Sequence, residues 1–330
     1  MKTFIKVIFI IAGSLLILGG IIVAVSFAGH GFRFGRGFGS LRPNYNASNE
    51  VDAKEFTVAA EDVRSIDIDE VHYDVKIVCG DSDMLRVEYE ENDRMRYEIY
   101  LRGGKLSIRH LPRYRDLFVG WIPSIGDSGT LTVYLPADFA LADDLRVNTV
   151  SASVQLNWSV ANSSECLLIG GKLSIESASG DINVENVRAQ NGFTANCVSG
   201  NIKLSSCESN GGFTSENVSG ETILTGCTVG GRMSLHSVSG NILAKDSSAA
   251  REIKIESVSG NISLINSTFA VLACENVSGN VELELPQGEY RFEFETLSGR
   301  KEYNMPSYPS GITVDIETVS GDIRVRSSNS

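Results

Sequence analysis

The six cysteines are the most reactive side chains of this 330-residue chain, and their spacing follows a repeat. Cys207 and Cys227 are twenty residues apart, and each comes eight residues after a serine of the same recurring phrase. If they stack on adjacent repeat units, their Cα atoms lie about 4.8 Å apart, which is within disulfide range. Buried free thiols are the alternative that we favour. The remaining cysteines have no evident mate and form no CxxC motif, which argues against a redox or zinc site: Cys79, Cys166, Cys197 and Cys274.

A second pattern of candidate ligands is acidic. Three residues before each repeated serine stands a column of mostly acidic residues: Glu176, Asn196, Glu216, His236, Glu256, Glu275, Glu295 and Glu317. Its last four members, Glu256, Glu275, Glu295 and Glu317, place like charges side by side, which repel by roughly 1 kcal/mol per pair in water. Calcium takes several carboxylate oxygens and would relieve this repulsion, so these four residues are candidate metal ligands. A solvated face whose glutamates splay apart is the reading that we favour.

Catalytic signatures are missing from the sequence. The four histidines, at positions 30, 72, 110 and 236, are scattered, and there is no HExxH, GxSxG or phosphate-binding loop. Some β-solenoids are polysaccharide lyases or hydrolases whose sites assemble from separate rungs. A polysaccharide-active enzyme is therefore the alternative function, whereas we predict a protein without catalytic residues and without a cofactor.

The cysteines and the acidic column must be positioned by a sequence repeat that occurs eight times in the chain. The phrase is apolar-Ser-Gly, usually followed by Asn or Asp and a β-branched residue, with spacings of 19 to 22 residues. The pairs are Ser179 and Gly180, Ser199 and Gly200, Ser219 and Gly220, Ser239 and Gly240, Ser259 and Gly260, Ser278 and Gly279, Ser298 and Gly299, and Ser320 and Gly321. A fixed period of this length indicates stacked units that bury a continuous core.

Apolar residues alternate with polar ones on both sides of the Ser-Gly step, which is the period of a half-buried strand. We predict an all-β, single-stranded parallel β-solenoid (β-helix-like) with rungs of about 20 residues, each holding two strands and bends. The glycine fits a bend that needs a positive φ. The Asn residues after Ser-Gly, such as Asn241 and Asn261, predict a ladder of side-chain hydrogen bonds along the stack.

The solenoid divides into an irregular and a regular part. Residues 56–145 predict atypical β rungs that cap one end, since terminal repeats must close an open core. Residues 146–330 predict regular rungs, the last of them at 314–325. We expect this last rung to leave an open edge, which charge protects. The predicted ectodomain is a monomer, with head-to-tail, end-to-end association as the alternative.

The N-terminus predicts a membrane anchor. Residues 7–28 carry no charge and are long enough to span a bilayer. We assign residues 1–28 to one transmembrane helix, with Lys2 and Lys6 on the cytoplasmic side. A cleaved signal peptide is the alternative, and both place the remainder outside the cytoplasm. Residues 29–55 are a juxtamembrane linker rich in Gly, Phe and Arg. The predicted location is the cell membrane, single-pass, with an extracytoplasmic C-terminal domain.

The exported part is strongly acidic. The chain has a formal net charge of −12 and no acid before residue 43, which leaves −17 for residues 43–330. Such a charge argues against binding nucleic acid or other polyanions. Cationic or neutral partners fit it better.

The repeat phrase VSGNI or VSGDI, the strand IKIESVSG and the upstream LTVYLPADFALADDLRV together resemble one family over residues 60–328. It is the bacterial "putative adhesin" β-strand-repeat family, catalogued as domain of unknown function 4097. The resemblance implies an envelope protein, often behind one transmembrane segment, with a role in surface attachment or envelope stress. It supplies no catalytic residues.

The function that we expect is therefore that of a membrane-anchored extracytoplasmic β-solenoid that binds or scaffolds, adhesin-like, without catalysis. Its partners would be the membrane and a cell-wall glycan or envelope protein.

Overall fold

The computed structural model describes residues 52–92, 95–112, 129–159 and 165–328. Nearly all of them form β-strands joined by short bends, and the predicted all-β class is confirmed. Within these ranges the one helix is a 3₁₀ turn at Ala60–Asp62, and no helix is long and apolar enough to cross a membrane. The predicted anchor at residues 1–28 lies outside the described residues.

Ten strands make up the irregular N-terminal part. They are β1 (Asp52–Ala59), β2 (Ser65–Glu70), β3 (Asp74–Cys79), β4 (Met84–Glu91), β5 (Met95–Arg102), β6 (Lys105–Pro112), β7 (Thr130–Leu135), β8 (Ala140–Leu141), β9 (Leu145–Thr149) and β10 (Val154–Asn157).

Seventeen strands follow in the regular part. They are β11 (Leu167–Ile169), β12 (Leu173–Ser179), β13 (Ile182–Glu185), β14 (Val187–Ala189), β15 (Phe193–Ser199), β16 (Ile202–Ser205), β17 (Glu208–Ser209), β18 (Phe213–Ser219), β19 (Thr222–Thr225), β20 (Thr228–Val229), β21 (Met233–Ser239), β22 (Ile242–Lys245), β23 (Ser248–Ala249), β24 (Glu252–Ser259), β25 (Ile262–Ile265), β26 (Val271–Ser278) and β27 (Val281–Leu285).

Four strands complete the described chain. They are β28 (Tyr290–Ser298), β29 (Lys301–Tyr303), β30 (Ile312–Ser320) and β31 (Ile323–Ser327).

A regular rung contains three strands, so the prediction of two per rung is wrong. In the rung of β15, β16 and β17, a seven-residue strand ends at Ser-Gly, a four-residue strand follows, and a two-residue strand completes the turn. Each belongs to a different sheet. Two residues are too few to show an alternating pattern, which is why the third strand was not visible in the sequence.

The three sheets form the three sides of the solenoid. Sheet A has thirteen strands in the order β1-β4-β7-β3-β10-β13-β16-β19-β22-β25-β27-β31-β29. Sheet B has twelve, in the order β28-β30-β26-β24-β21-β18-β15-β12-β9-β2-β6-β5. Sheet C has six, in the order β23-β20-β17-β14-β11-β8. The pairing between regular rungs is parallel and in register, so that the repeated serines face one another, as Ser239 and Ser259 do.

The repeated glycine at the corner between sheets B and A serves two purposes. Gly260 has a φ of 145°, a left-handed value that confirms the predicted bend. A Cβ atom there would also lie 2.1 Å from the carbonyl oxygen of Gly240 on the adjacent rung. The glycine is therefore required by stacking as well as by φ.

A ladder of side-chain hydrogen bonds runs along the residues that follow these glycines, as predicted. The Asn241 Oδ1 atom accepts the backbone N–H of Asn261 at 2.9 Å, and Asn261 Oδ1 accepts that of Asn280 at 3.0 Å. The ladder continues with Asp322 and Arg300 at the C-terminal end of the stack. Each side chain thus satisfies a backbone donor on the neighbouring rung, which a corner would otherwise leave unpaired.

The core lies between the three sheets and is formed by the inward residues of every strand. In β24 and β25 these include Ile253, Ile255, Ile262 and Leu264, each at most 1 % exposed. The alternation of buried and half-exposed residues along these strands agrees with the predicted period of two.

Chain order and spatial order differ at both ends of the stack. After β26 and β27 the chain builds the outermost rung, β28 and β29, and then returns to place β30 and β31 between the two. The prediction that the rung at 314–325 forms the open edge is therefore wrong. That rung is covered on both sides, and the outermost C-terminal rung is Tyr290–Tyr303.

Candidate functional site

All six cysteines are free thiols in the structure. Cys207 and Cys227 do stack on adjacent rungs and are buried, as the spacing predicted. Their sulfur atoms contact backbone carbonyls of their own rungs, Cys207 Sγ with Ser205 at 3.4 Å and Cys227 Sγ with Thr225 at 3.7 Å. The hydrogen bond to Cys227, together with burial, raises the pKa of the Cys207 thiol. This environment suits a buried thiol better than a reactive thiolate.

The predicted acidic column exists on the outward face of sheet B. Because the chain places β30 between β26 and β28, the order of the column along the stack is Glu256, Glu275, Glu317 and Glu295. All four carboxylates therefore lie on neighbouring strands. Across the described ranges no group of three or more His, Cys, Asp and Glu side chains is placed to hold a metal ion, and the calcium hypothesis stays a prediction.

Glu256 shows how the column accommodates its charge. Its carboxylate accepts a hydrogen bond from His236 Nδ1 at 2.7 Å and pairs with Lys254 Nζ at 2.6 Å. The hydrogen bond from His236, opposed by partial burial and helped by Lys254, lowers the pKa of Glu256 to about 2. Basic side chains of the protein itself thus take the place of a cation here.

A buried polar cluster at the N-terminal end was not predicted. Glu70 is 2 % exposed and accepts hydrogen bonds from Tyr97 Oη at 2.5 Å and from His110 Nδ1 at 2.7 Å. Its Oε1 atom also accepts the backbone N–H groups of Val71, His72 and Tyr73. Burial alone would raise the pKa of Glu70, but the bonds from His110 and Tyr97 and from the backbone hold it below its usual value.

This cluster ties an antiparallel cap to the first parallel rungs. Glu70 ends β2, His110 lies on β6 and Tyr97 on β5, which is the outermost strand of sheet B. β5 pairs antiparallel with β6, and on sheet A β4 and β1 continue the cap in the same antiparallel sense. Three antiparallel strands therefore cover this end, which we call the closed end.

The opposite end of the stack, which we call the open end, consists of β28 and β29. The outer edge of β28 makes one isolated bridge, between Tyr290 and Ser307, and Ser307 Oγ accepts the N–H of Phe292. From there to Ser298, no strand of the described chain pairs with this edge.

Apolar surface is exposed at the open end. Phe292 and Phe294 face the core but are only partly buried, whereas their neighbours on β30, Val314 and Ile316, are fully buried. The rings of Phe292, Phe294 and Tyr303 contact one another at centroid distances of 5.3 to 6.2 Å. Leu297 is 81 % exposed, the highest value among the large exposed apolar side chains of the described residues.

The open end could not be located from the sequence, although its residues were visible. The alternation Phe292, Glu293, Phe294, Glu295 was interpreted as one more rung in chain order. The sequence signal was the interval of 22 residues between the last two Ser-Gly pairs. It contains the extra residues that connect β29 in the outermost rung to β30 in the rung beneath it.

The family model "Toastrack DUF4097" matches residues 63–327, which is most of the chain. This chain belongs to that family. The predicted resemblance to domain of unknown function 4097 is therefore confirmed. No curated protein matches the sequence.

Three solved structures are similar to this Toastrack protein at low sequence identity. A "putative lipid binding protein" from Parabacteroides distasonis ATCC 8503 is similar with a TM-score of 0.50 and 18 % identity, covering 84 % of this chain and 98 % of its own. A "putative adhesin" from the same organism gives a TM-score of 0.45 at 10 % identity, with the same coverage of 84 % and 98 %. Another, from Bacteroides fragilis NCTC 9343, gives 0.43 at 13 % identity, again covering 84 % and 98 %. At 18 % identity the likeness to the first of these concerns the fold alone.

Proposed function

We propose that this Toastrack protein is a non-catalytic binding or scaffold protein of the bacterial cell envelope. Residues 7–28 would hold it in the membrane as a single span, with the solenoid outside the cytoplasm. Its partner would be a cell-wall glycan or another envelope protein, and the binding would serve attachment or the response to envelope stress.

One observation carries this proposal: a single continuous ladder with one closed end and one open end. Sheet B stacks twelve strands, which at about 4.8 Å per step gives a rod roughly 50 Å long. β1, the strand that follows the N-terminal segment, belongs to the closed end. A membrane anchor in that segment would therefore attach the rod at its closed end, with the open end at the opposite end of the stack, as expected of a rigid body that presents a binding surface.

The location is tested by the topology of the full chain in wall-stripped bacterial cells. Protease added outside should remove residues 43–330 from intact cells, while a cytoplasmic protein in the same cells remains whole. Digestion that requires prior disruption of the membrane would contradict the proposed orientation.

The absence of catalysis is tested separately with a glycan array and a reducing-sugar release assay on the purified full chain. Binding without sugar release is the expected result. Release that is abolished by a single acidic substitution would replace the proposal with the polysaccharide-active enzyme.

A further inference from the structure

The outer edge of β28 between Phe292 and Ser298 has room for one more strand of sheet B. Edge strands expose a row of backbone donors and acceptors that an extended segment can pair with. At the closed end of this molecule the chain supplies such strands itself. At the open end two side chains contact this edge: Ser307 Oγ accepts the N–H of Phe292 at 3.1 Å, and Lys301 Nζ donates to the carbonyl of Phe294 at 2.5 Å. An incoming strand can replace both contacts.

The side chains of this edge define what the added strand should look like. Phe292 and Phe294 point inward and are half covered, so residues paired with them would need to be apolar to complete the core. Glu293 and Glu295 point outward and are exposed. Opposite charges in directly facing positions stabilise a strand pair, so the facing residues should be basic.

Pairing with a second copy along the same stretch is unfavourable. An antiparallel arrangement that uses the whole interval from Phe292 to Ser298 places Glu295 opposite Glu295 of the other copy, and like charges in that position destabilise the pair. The beginning of the strand offers no better register, because Ser307 occupies the edge beside Tyr290. The charge pattern thus favours a different partner.

We propose that the open end binds an extended segment of a partner protein in which apolar and basic residues alternate, and that this segment adds to sheet B beside β28. The proposal rests on the proposed binding function and narrows it to one surface and one class of ligand. Arg291 already pairs with Glu293 at 3.1 Å, and a basic residue of the partner would share that carboxylate. Glu295 is the second anchor.

The test uses the purified full chain and three labelled peptides. The probe is Ser-Val-Lys-Phe-Arg-Val-Ser, which alternates in both chain directions. One control replaces its two basic residues by glutamate, and the other, Ser-Lys-Arg-Val-Phe-Val-Ser, has the same composition without the alternation. We expect the probe to bind at least about tenfold more tightly than either control, and to slow amide hydrogen exchange at residues 292–298.

Charge reversal on the protein provides the second arm. The double variant Glu293→Lys and Glu295→Lys should lose about tenfold in affinity for the basic probe and gain affinity for the glutamate peptide. The matched control is Glu176→Lys with Glu185→Lys, two acids in the regular rungs far from this end, and it should leave both affinities unchanged. Circular dichroism verifies that both variants are folded.

Three results would overturn the proposal. The first is equal binding of the probe and the scrambled peptide, or no binding. The second is a doubled mass in light scattering with residues 292–298 protected in the absence of peptide, which assigns the edge to a second copy. The third is displacement of the probe by phosphatidylcholine and phosphatidylglycerol vesicles, which assigns the exposed apolar surface to lipid. None of these bears on cell location or sugar release, so the failure of this inference is distinguishable from failure of the proposed function.

Discussion

The first and last rungs of the solenoid leave their outer edges in different states. At the closed end, β5 and β4 run antiparallel to the rungs that they cover, β1 pairs antiparallel with β4, and the buried carboxylate of Glu70 binds Tyr97 on β5. At the open end, β28 and β29 keep the parallel sense of the stack and expose aromatic rings. The same chain thus ends one side of the stack with antiparallel strands and the other with strands that continue the parallel stack.

The comparison shows that the repeat alone does not determine how a solenoid terminates. Regular rungs need only small residues at corners and apolar ones inside, so every rung could continue into another. At the closed end the regular stacking stops at a buried cluster whose hydrogen bonds can form in one arrangement. Glu70 there accepts hydrogen bonds from His110, from Tyr97 and from three backbone N–H groups. Outer carboxylates and Lys301 are the main protection of the open end.

The largest effect should come from breaking the closed end. Glu70→Ala removes the acceptor of five hydrogen bonds and leaves buried donors without partners, which we expect to cost about 3–5 kcal/mol. Thermal melting and hydrogen exchange should show the cap of β1, β4 and β5 opening first. Glu98→Ala, an exposed acid on β5, is the matched control and should be nearly neutral. Equal losses from the two variants would mean that the cluster does not hold the cap.

The next effect compares a corner inside the stack with the same corner at the open end. A Cβ at Gly260 would meet a carbonyl oxygen at 2.1 Å, and one at Gly299 would meet another at 2.0 Å. Gly260→Asn should cost about 2–3 kcal/mol because rungs on both sides prevent relief. Gly299→Asn should cost less, since the outermost rung can move outward and Gly299, unlike Gly260, does not have a left-handed φ.

Gly226→Asn is the control for this pair of variants. Gly226 also has a positive φ, 63°, but no atom lies closer than 4.0 Å to its Cβ position. The same corner in other rungs holds Asn186 and Asn266, both with positive φ. The melting temperature should decrease most in Gly260→Asn, less in Gly299→Asn and least in Gly226→Asn. Equal decreases in the first two variants would show that the open end is as confined as the middle of the stack.

Sequence reasoning succeeded where the structure is periodic and failed where it is not. The Ser-Gly corner, the amide ladder of Asn241 and Asn261 and the outward column of Glu256 all follow from a fixed interval. The order of the last two rungs does not, because inward and outward residues alternate in the same way whichever rung is outermost. The cluster of Glu70 was invisible because its members are 13 to 40 residues apart and meet only after β6 has paired in parallel with β2 and antiparallel with β5.

Acid should weaken the closed end through protonation of Glu70. The folded-state pKa of Glu70 is lowered, so its contribution to stability is complete above the unfolded value of about 4.3 and is lost as pH falls through the folded value. The pKa of Glu256 in the regular rungs is about 2, so its carboxylate should stay ionised and paired with His236 until the pH approaches that value. Hydrogen exchange at pH 5, 4 and 3, corrected for intrinsic rates, measures the two regions separately. The Glu70→Gln variant should lack the acid step, and an unchanged step in that variant would assign it to another group.

The smallest effect is expected at the most exposed apolar residue of the open end. Leu297 is 81 % exposed, so Leu297→Ser removes almost no buried surface and should change stability by less than about 0.5 kcal/mol. Val258 occupies the same position of a regular rung, half-buried with a rung on each side, and Val258→Ser should cost about 1 kcal/mol. Melting curves compare the two variants, and the affinity for the alternating basic peptide is measured alongside.

If Leu297→Ser lowers the melting temperature as much as Val258→Ser, Leu297 contributes to the stability of the fold, and the open end is less exposed than its geometry indicates. If the melting temperature is unchanged while peptide affinity falls, Leu297 contributes to contact with a partner, and the difference between the two ends of the molecule is one of function.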